Sequence, residues 1–191
     1  GNQGKKTAVV STINGDANVP FYKELGNQGV SAQDIPVVAF SVGEEELAGL
    51  DTSNLVGHLA AWNYFQSADA DVNAEFVETW KATMGEERVT NDPMEAHYIG
   101  FNMWLNAATE AGSTDVDAVR SKMYGQEFPN LTGGTAVMLP NHHLAKPVLI
   151  GEIQEDGQFD IISQTSEVPG DAWTDFLPES AVLMSDWKEL D

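Results

Sequence analysis

The chain has 191 residues, 42% of them hydrophobic and 9% aromatic, which is enough apolar side chain for a substantial core. Its 30 Asp and Glu against 9 Lys and Arg, a formal net charge of -21 at pH 7, exclude a nucleic-acid backbone or an anionic membrane surface as partner. Cysteine is absent, so disulfides, thiolate nucleophiles and sulfur-rich zinc sites are excluded, and no run approaches the roughly eighteen apolar residues of a membrane span.

The first element is the run VVSTINGD at 9 to 16, β-branched residues that stop in a polar turn. A short helix follows, with Asn18 as cap, Pro20 in the first turn, Phe21 and Leu25 on one face and Gly26 at the end. The pattern then repeats: VVAFSV at 37 to 42 is a second apolar strand, and Glu44, Glu45 and Glu46 suit a helix N-terminus. LVGHLAAWNYF at 55 to 65 reads as a third strand, followed by a helix over 73–84 with Phe76, Trp80 and Met84 on one side. Apolar strands alternating with helices predict a doubly wound parallel sheet, an α/β fold.

From Asp92 the pattern changes. One long helix is predicted with Asp92 as cap, Pro93 in its first turn, Glu95 closing a capping box and Gly112 after its end. Met94, Tyr98, Phe101, Leu105 and Ala108 form its apolar stripe, and a second helix near 115–124 presents Val116, Val119 and Met123. Three strands then come without helices between them: GGTAVML, PVLIGEIQ and QFDIIS, the last two joined by an Asp156-Gly157 hairpin signal. The tail after 167 reads as irregular with a short final helix.

In an open parallel sheet ligands sit beyond the carboxyl ends of the strands. Both leading strands end there in small or neutral polar groups, Asn14, Gly15 and Asp16 on one and Ser41 and Val42 on the other. An amide, a hydroxyl and approachable backbone suit a small neutral polar ligand, although the same residues also make ordinary turns. His142 and His143 are adjacent and no HExxH spacing accompanies them, so the histidines predict a turn and no metal site. There is no G-x-S-x-G elbow and no G-x-G-x-x-G, no cofactor is implied, and the three consecutive glutamates read as solvated partners of a helix dipole.

The runs VVSTINGDANVPFYKELGNQG, VVAFSVGEEEL, LVGHLAAWNYF, VTNDPMEAHYIGFNMW, LTGGTAVMLPNHHLAKPVLIGEIQEDGQFDI and GDAWTDFLPES resemble the urea-binding subunits of bacterial ABC importers. These are type I periplasmic binding proteins, near the short-chain amide and branched-chain amino acid binders, and the resemblance covers nearly the whole chain. It implies two α/β lobes closing on a ligand, with 1–91 as most of the C-terminal lobe, 92–133 as helices of the N-terminal lobe, and 134–191 as returning strands, hairpin and tail. It further implies a periplasmic, non-enzymatic solute carrier for urea or short-chain amides that hands ligand to ABC permease subunits, with Asn14 and Ser41 as contacts and Gly15, Asp16 and Val42 close by. A cytoplasmic amide-sensing regulator of the same fold is the alternative, and an amidohydrolase is disfavoured by the lack of a nucleophile or metal set. The chain opens without Met and enters a strand within a few residues, as expected of the C-terminal half of a longer protein. Apolar residues of the helix at 93–111 would then lack partners and favour self-association.

Overall fold

A computed structural model describes residues 4–170; the final helix predicted for the tail lies outside the described residues. The first half follows the strand and helix alternation of the sequence: β1 (Val9–Ser11), α1 (Asn18–Asn27), β2 (Val37–Ala39), α2 (Glu44–Leu47) and β3 (Leu59–Trp62). The three strands pair in parallel, with Val9 opposite Val37 and Val38 opposite Leu59. The third strand is shorter than its apolar run, because 53–57 are spent in turns and the His58 ring turns inward. Its Nδ1 accepts the Val37 N–H at 3.0 Å, and burial pushes the imidazole pKa down.

Three helices come next, α3 (Asp71–Met84), α4 (Asp92–Ala111) and α5 (Val116–Met123), followed by β4 (Glu127–Pro129), β5 (Thr135–Met138) and β6 (Leu144–Ala145). β4, β5 and β6 form a small antiparallel sheet of their own. β7 (Leu149–Ile153) and β8 (Phe159–Gln164) return to the first sheet and add antiparallel beyond β3, giving the order β1-β2-β3-β7-β8. The Asp-Gly hairpin joining them forms as predicted, with Gly157 in the left-handed region at φ 78°. His142 and His143 sit in the turn between β5 and β6, also as predicted.

Two separate cores result. Tyr22 of α1 and Leu47 of α2 pack on Ala39, Ala60, Leu149 and Phe159, the inward residues of the five-stranded sheet. Ile99 and Met103 of α4 pack on Ala136 and Met138 of β5, with a neighbouring cluster of Tyr64, Phe76 and Leu131 that draws in α3. Gly151 lies under the stacked rings of Phe65 and Phe159, whose centroids are 4.4 Å apart; an added Cβ would stand 2.8 Å from one ring and 2.9 Å from the other. Gly151→Ala is therefore expected to cost about 1–3 kcal/mol of stability by overpacking. Chemical denaturation measures it, and an unchanged midpoint would show that the rings yield freely.

The long helix departs from its sequence reading in two ways. Its cap is Asn91, whose Oδ1 accepts the Met94 N–H at 3.1 Å, and Asp92 makes no capping box with Glu95 because both carboxyls turn to tertiary partners. Its buried stripe is Glu95, Ile99, Met103 and Ala107, one position round from the expected one, leaving Tyr98, Phe101 and Leu105 exposed. Likewise Asn18 does not cap α1: a 3-10 turn over Gly15–Ala17 precedes it, and its side chain points inward.

Candidate ligand-binding site

The carboxyl ends of β1 and β2 are laced together beyond their ladder. The fully buried Asn18 donates through Nδ2 to the Ile13 carbonyl at 3.0 Å and the Ser41 carbonyl at 3.2 Å, and Ser41 Oγ donates to the same Ile13 carbonyl at 2.7 Å. These bonds fix the height of both strand ends, and two of the three come from a residue first assigned to a helix cap.

On that platform Asn14 is exposed and extended, and its side-chain amide makes no hydrogen bond among the described residues. Gly15 takes a left-handed φ of 58°, a conformation that favours glycine, and turns the chain away so that Asn14 stands at the rim; Asp16 is exposed in the 3-10 turn. Ser41 is half-buried, with its proton committed to Ile13, so the lone pairs that remain can only accept. Val42 is different. It is fully buried among the core residues of the sheet and α1, so neither its side chain nor its backbone is open to a ligand at the rim.

Glu44 corrects the reading of the three glutamates as solvated. It is 1% exposed, its Oε1 accepts the Gln66 N–H at 2.6 Å, and Oε2 is buried without a partner. Burial pushes its pKa up to about 8 against the pull of two backbone hydrogen bonds, with Glu46 and Asp92 adding to the rise, so this carboxyl is mostly neutral at pH 7. Glu46 acts as a cap, accepting the Gly43 N–H at 2.8 Å, and Glu45 accepts from Asn91 Nδ2 at 2.9 Å. Burial of Glu44 could not be read from a run of three like charges; it depends on Gln66, which lies beyond β3.

A groove of about 850 Å³ lies elsewhere, between α3 and α4, with Phe76, Trp80, Tyr98 and Phe128 on its walls beside the polar Glu75 and His97. Among the described residues no helix is long and apolar enough to cross a membrane.

Asn14 and Ser41 thus stand at the carboxyl ends of two neighbouring parallel strands, tied together by the buried Asn18 amide. Residues 2–179 match the periplasmic binding protein domain family. The chain belongs to that family. Its fold is that of the solute-binding proteins of ABC transporters. One from Rhodopseudomonas palustris, solved in complex with 3,4-dihydroxybenzoic acid, superposes with a TM-score of 0.68 at 18% identity, covering 84% of this chain and 44% of that one. An amino acid ABC transporter substrate-binding protein from Pseudomonas fluorescens gives 0.69 at 21% identity over 85% of this chain and 45% of that one. A leucine-binding protein from Thermotoga maritima gives 0.61 at 20% identity, over 83% and 44%. A Geobacillus stearothermophilus protein called limonene hydroxylase is 37% identical over 113 residues, 59% of this chain and 20% of that one. This member of the family thus spans less than half the length of the solved structures it matches.

Proposed function

We propose that this periplasmic binding protein chain is part of the extracytoplasmic solute receptor of an ABC importer for urea or short-chain amides. It would work in the periplasm, without catalysis, and deliver its ligand to membrane permease subunits. The observation that carries this reading is the pair of uncharged polar groups at the rim: Asn14 offers a free donor and acceptor, and Ser41 offers only acceptance, which suits the N–H groups of an amide. The exposed backbone of Gly15 and Asp16 completes the rim. A carboxylate ligand, such as those named for the Rhodopseudomonas palustris structure, would call for a cation here, and Asn14, Gly15, Asp16 and Ser41 supply none. A near-neutral Glu44 behind Gly43 keeps the site compatible with an uncharged solute.

In the same reading the five-stranded sheet with α1 and α2 is most of one lobe and the unit of α4, α5 and β4 to β6 belongs to the other. A boundary nearer 63 than 91 would suit this reading, supported by α3 sharing its core with Tyr64 and Leu131.

Titration calorimetry with urea, formamide and acetamide, and with leucine and 4-hydroxybenzoate as charged controls, tests the proposal. Amide binding is expected to weaken by about 1–3 kcal/mol in Asn14→Ala, which leaves a ligand group unpaired. Binding of leucine with no response to any amide would overturn the reading, and unchanged amide affinity in the variant would remove Asn14 from the site.

A further inference from the structure

The chain passes between its two cores at two places, residues 63–66 after β3 and residues 146–148 before β7. Both are tied to the first turn of α4. The Asn63 N–H donates to Asp92 Oδ2 at 2.9 Å, and the Lys146 ammonium pairs with Glu95 Oε2, both of those side chains being buried. The crossings are also tied to each other, since Asn63 Nδ2 donates to the Pro147 carbonyl at 2.9 Å. Glu95 Oε1 is buried with no partner. One ammonium therefore serves two carboxyls at the point where the two cores join.

We propose that Asp92, Glu95 and Lys146 form a proton-gated latch across these two crossings, closed while the cluster holds an extra proton and loosened when it loses it. The latch acts on the angle between the cores and stands whatever solute the rim takes.

The surrounding charges set its direction. From α4 come Asp92 and Glu95, from the second crossing Lys146, and from α2 Glu44, whose field reaches Asp92. The end of β3 contributes the Tyr64 phenol, neutral and hydrogen bonded to Asn73 Oδ1 and Thr90 Oγ1 at 2.8 Å each; burial, first among its causes, pushes its pKa well up. Arg88 lies out at the surface beside Glu45. Burial raises Asp92 and Glu95 to about 6 in spite of Lys146 and the neighbouring amides. A proton thus binds more tightly to the closed latch than to the same carboxyls in water, with ordinary values of 3.8 and 4.5. The advantage of the closed form is complete below about pH 4 and is lost as pH rises through about 6. Full ionisation leaves two carboxylates against one ammonium in a buried place, which drives opening.

Amide hydrogen exchange of this chain, corrected for intrinsic rates, tests the latch. The Asn63 and Tyr64 amides are expected to exchange through a local opening more populated than that of β2. Its population should rise between ten- and a hundredfold from pH 5 to pH 7, at up to tenfold per pH unit for each proton released. Asp92→Asn, which keeps an acceptor for Asn63, should cut the rise at least threefold, and Asp92→Asn with Glu95→Gln and Lys146→Met should flatten it. Should the triple variant fail to fold, the single one decides. Exchange of 63 and 64 only together with β2, an opening indifferent to pH, or an unchanged rise in Asp92→Asn would each overturn the proposal.

Discussion

Glu44→Gln is expected to make the protein more stable at pH 8 and to leave it nearly unchanged at pH 5. The glutamine keeps an oxygen for the Gln66 N–H and removes an ionisation that burial resists. Glu44 has an ordinary value of 4.5 and a folded value near 8, so its proton binds more tightly in the folded chain. The stability this confers is fully present below about pH 4.5 and drains away as pH rises through 8. At up to about 1.4 kcal/mol per pH unit, the wild type is expected to lose several kcal/mol from this residue across that window, on the order of the cost of ionising a buried carboxyl. Urea or guanidinium titrations at pH 5, 6.5 and 8 measure the difference. Stability curves that run parallel for the two proteins would show that Glu44 finds solvent when it ionises.

This chain, taken by itself, is expected to associate with a second copy through α4. Tyr98, Phe101, Trp104 and Leu105 are 41%, 59%, 40% and 46% exposed, and Phe101 stacks on Trp104 at 6.1 Å, so they make one patch continuous with the groove that Tyr98 also lines. Together they present on the order of 400 Å² of apolar surface, as large as the patches that mark interaction sites. From Ala96 to Thr109 there is no charged residue, in a chain whose net charge of -21 would otherwise keep copies apart. The face is thus the place where two copies meet without like-charge repulsion. Light scattering at tens of micromolar should give a dimer or larger, and Phe101→Glu should return it to monomer. A monodisperse wild-type monomer would sink the idea.

The parallel half of the fold was legible because β1, β2 and β3 sit in continuous apolar runs ended by turn residues, and Asp156-Gly157 announced its hairpin. What failed on α4 failed for a tertiary reason. Counting apolar residues at helical spacing cannot select a stripe that contains Glu95, whose burial depends on Lys146 much later in the chain. Asp92 and Asn91 are equal candidates for the cap, and the choice falls to Asn91 because the Asp92 carboxyl is drawn to the Asn63 amide. At the rim, Asn14 and Ser41 could be named from strand ends alone, while the lacing by Asn18 and the burial of Val42 and Glu44 could not. Short β4 and β6 carry too few residues for a period to show.

The placement of β7 has a consequence for how the chain comes off the ribosome. Trp62 pairs with Leu149, and Leu149, Ile153 and Phe159 are needed to close the core begun by Tyr22 and Ala39. At about 5–20 residues per second, synthesis leaves β1 to β3 without their last strands for several seconds. During that interval β3 is an open edge with an apolar sequence, available to wrong partners. The unit of α4, α5 and the small sheet, contiguous in sequence, can form while the first core is still waiting.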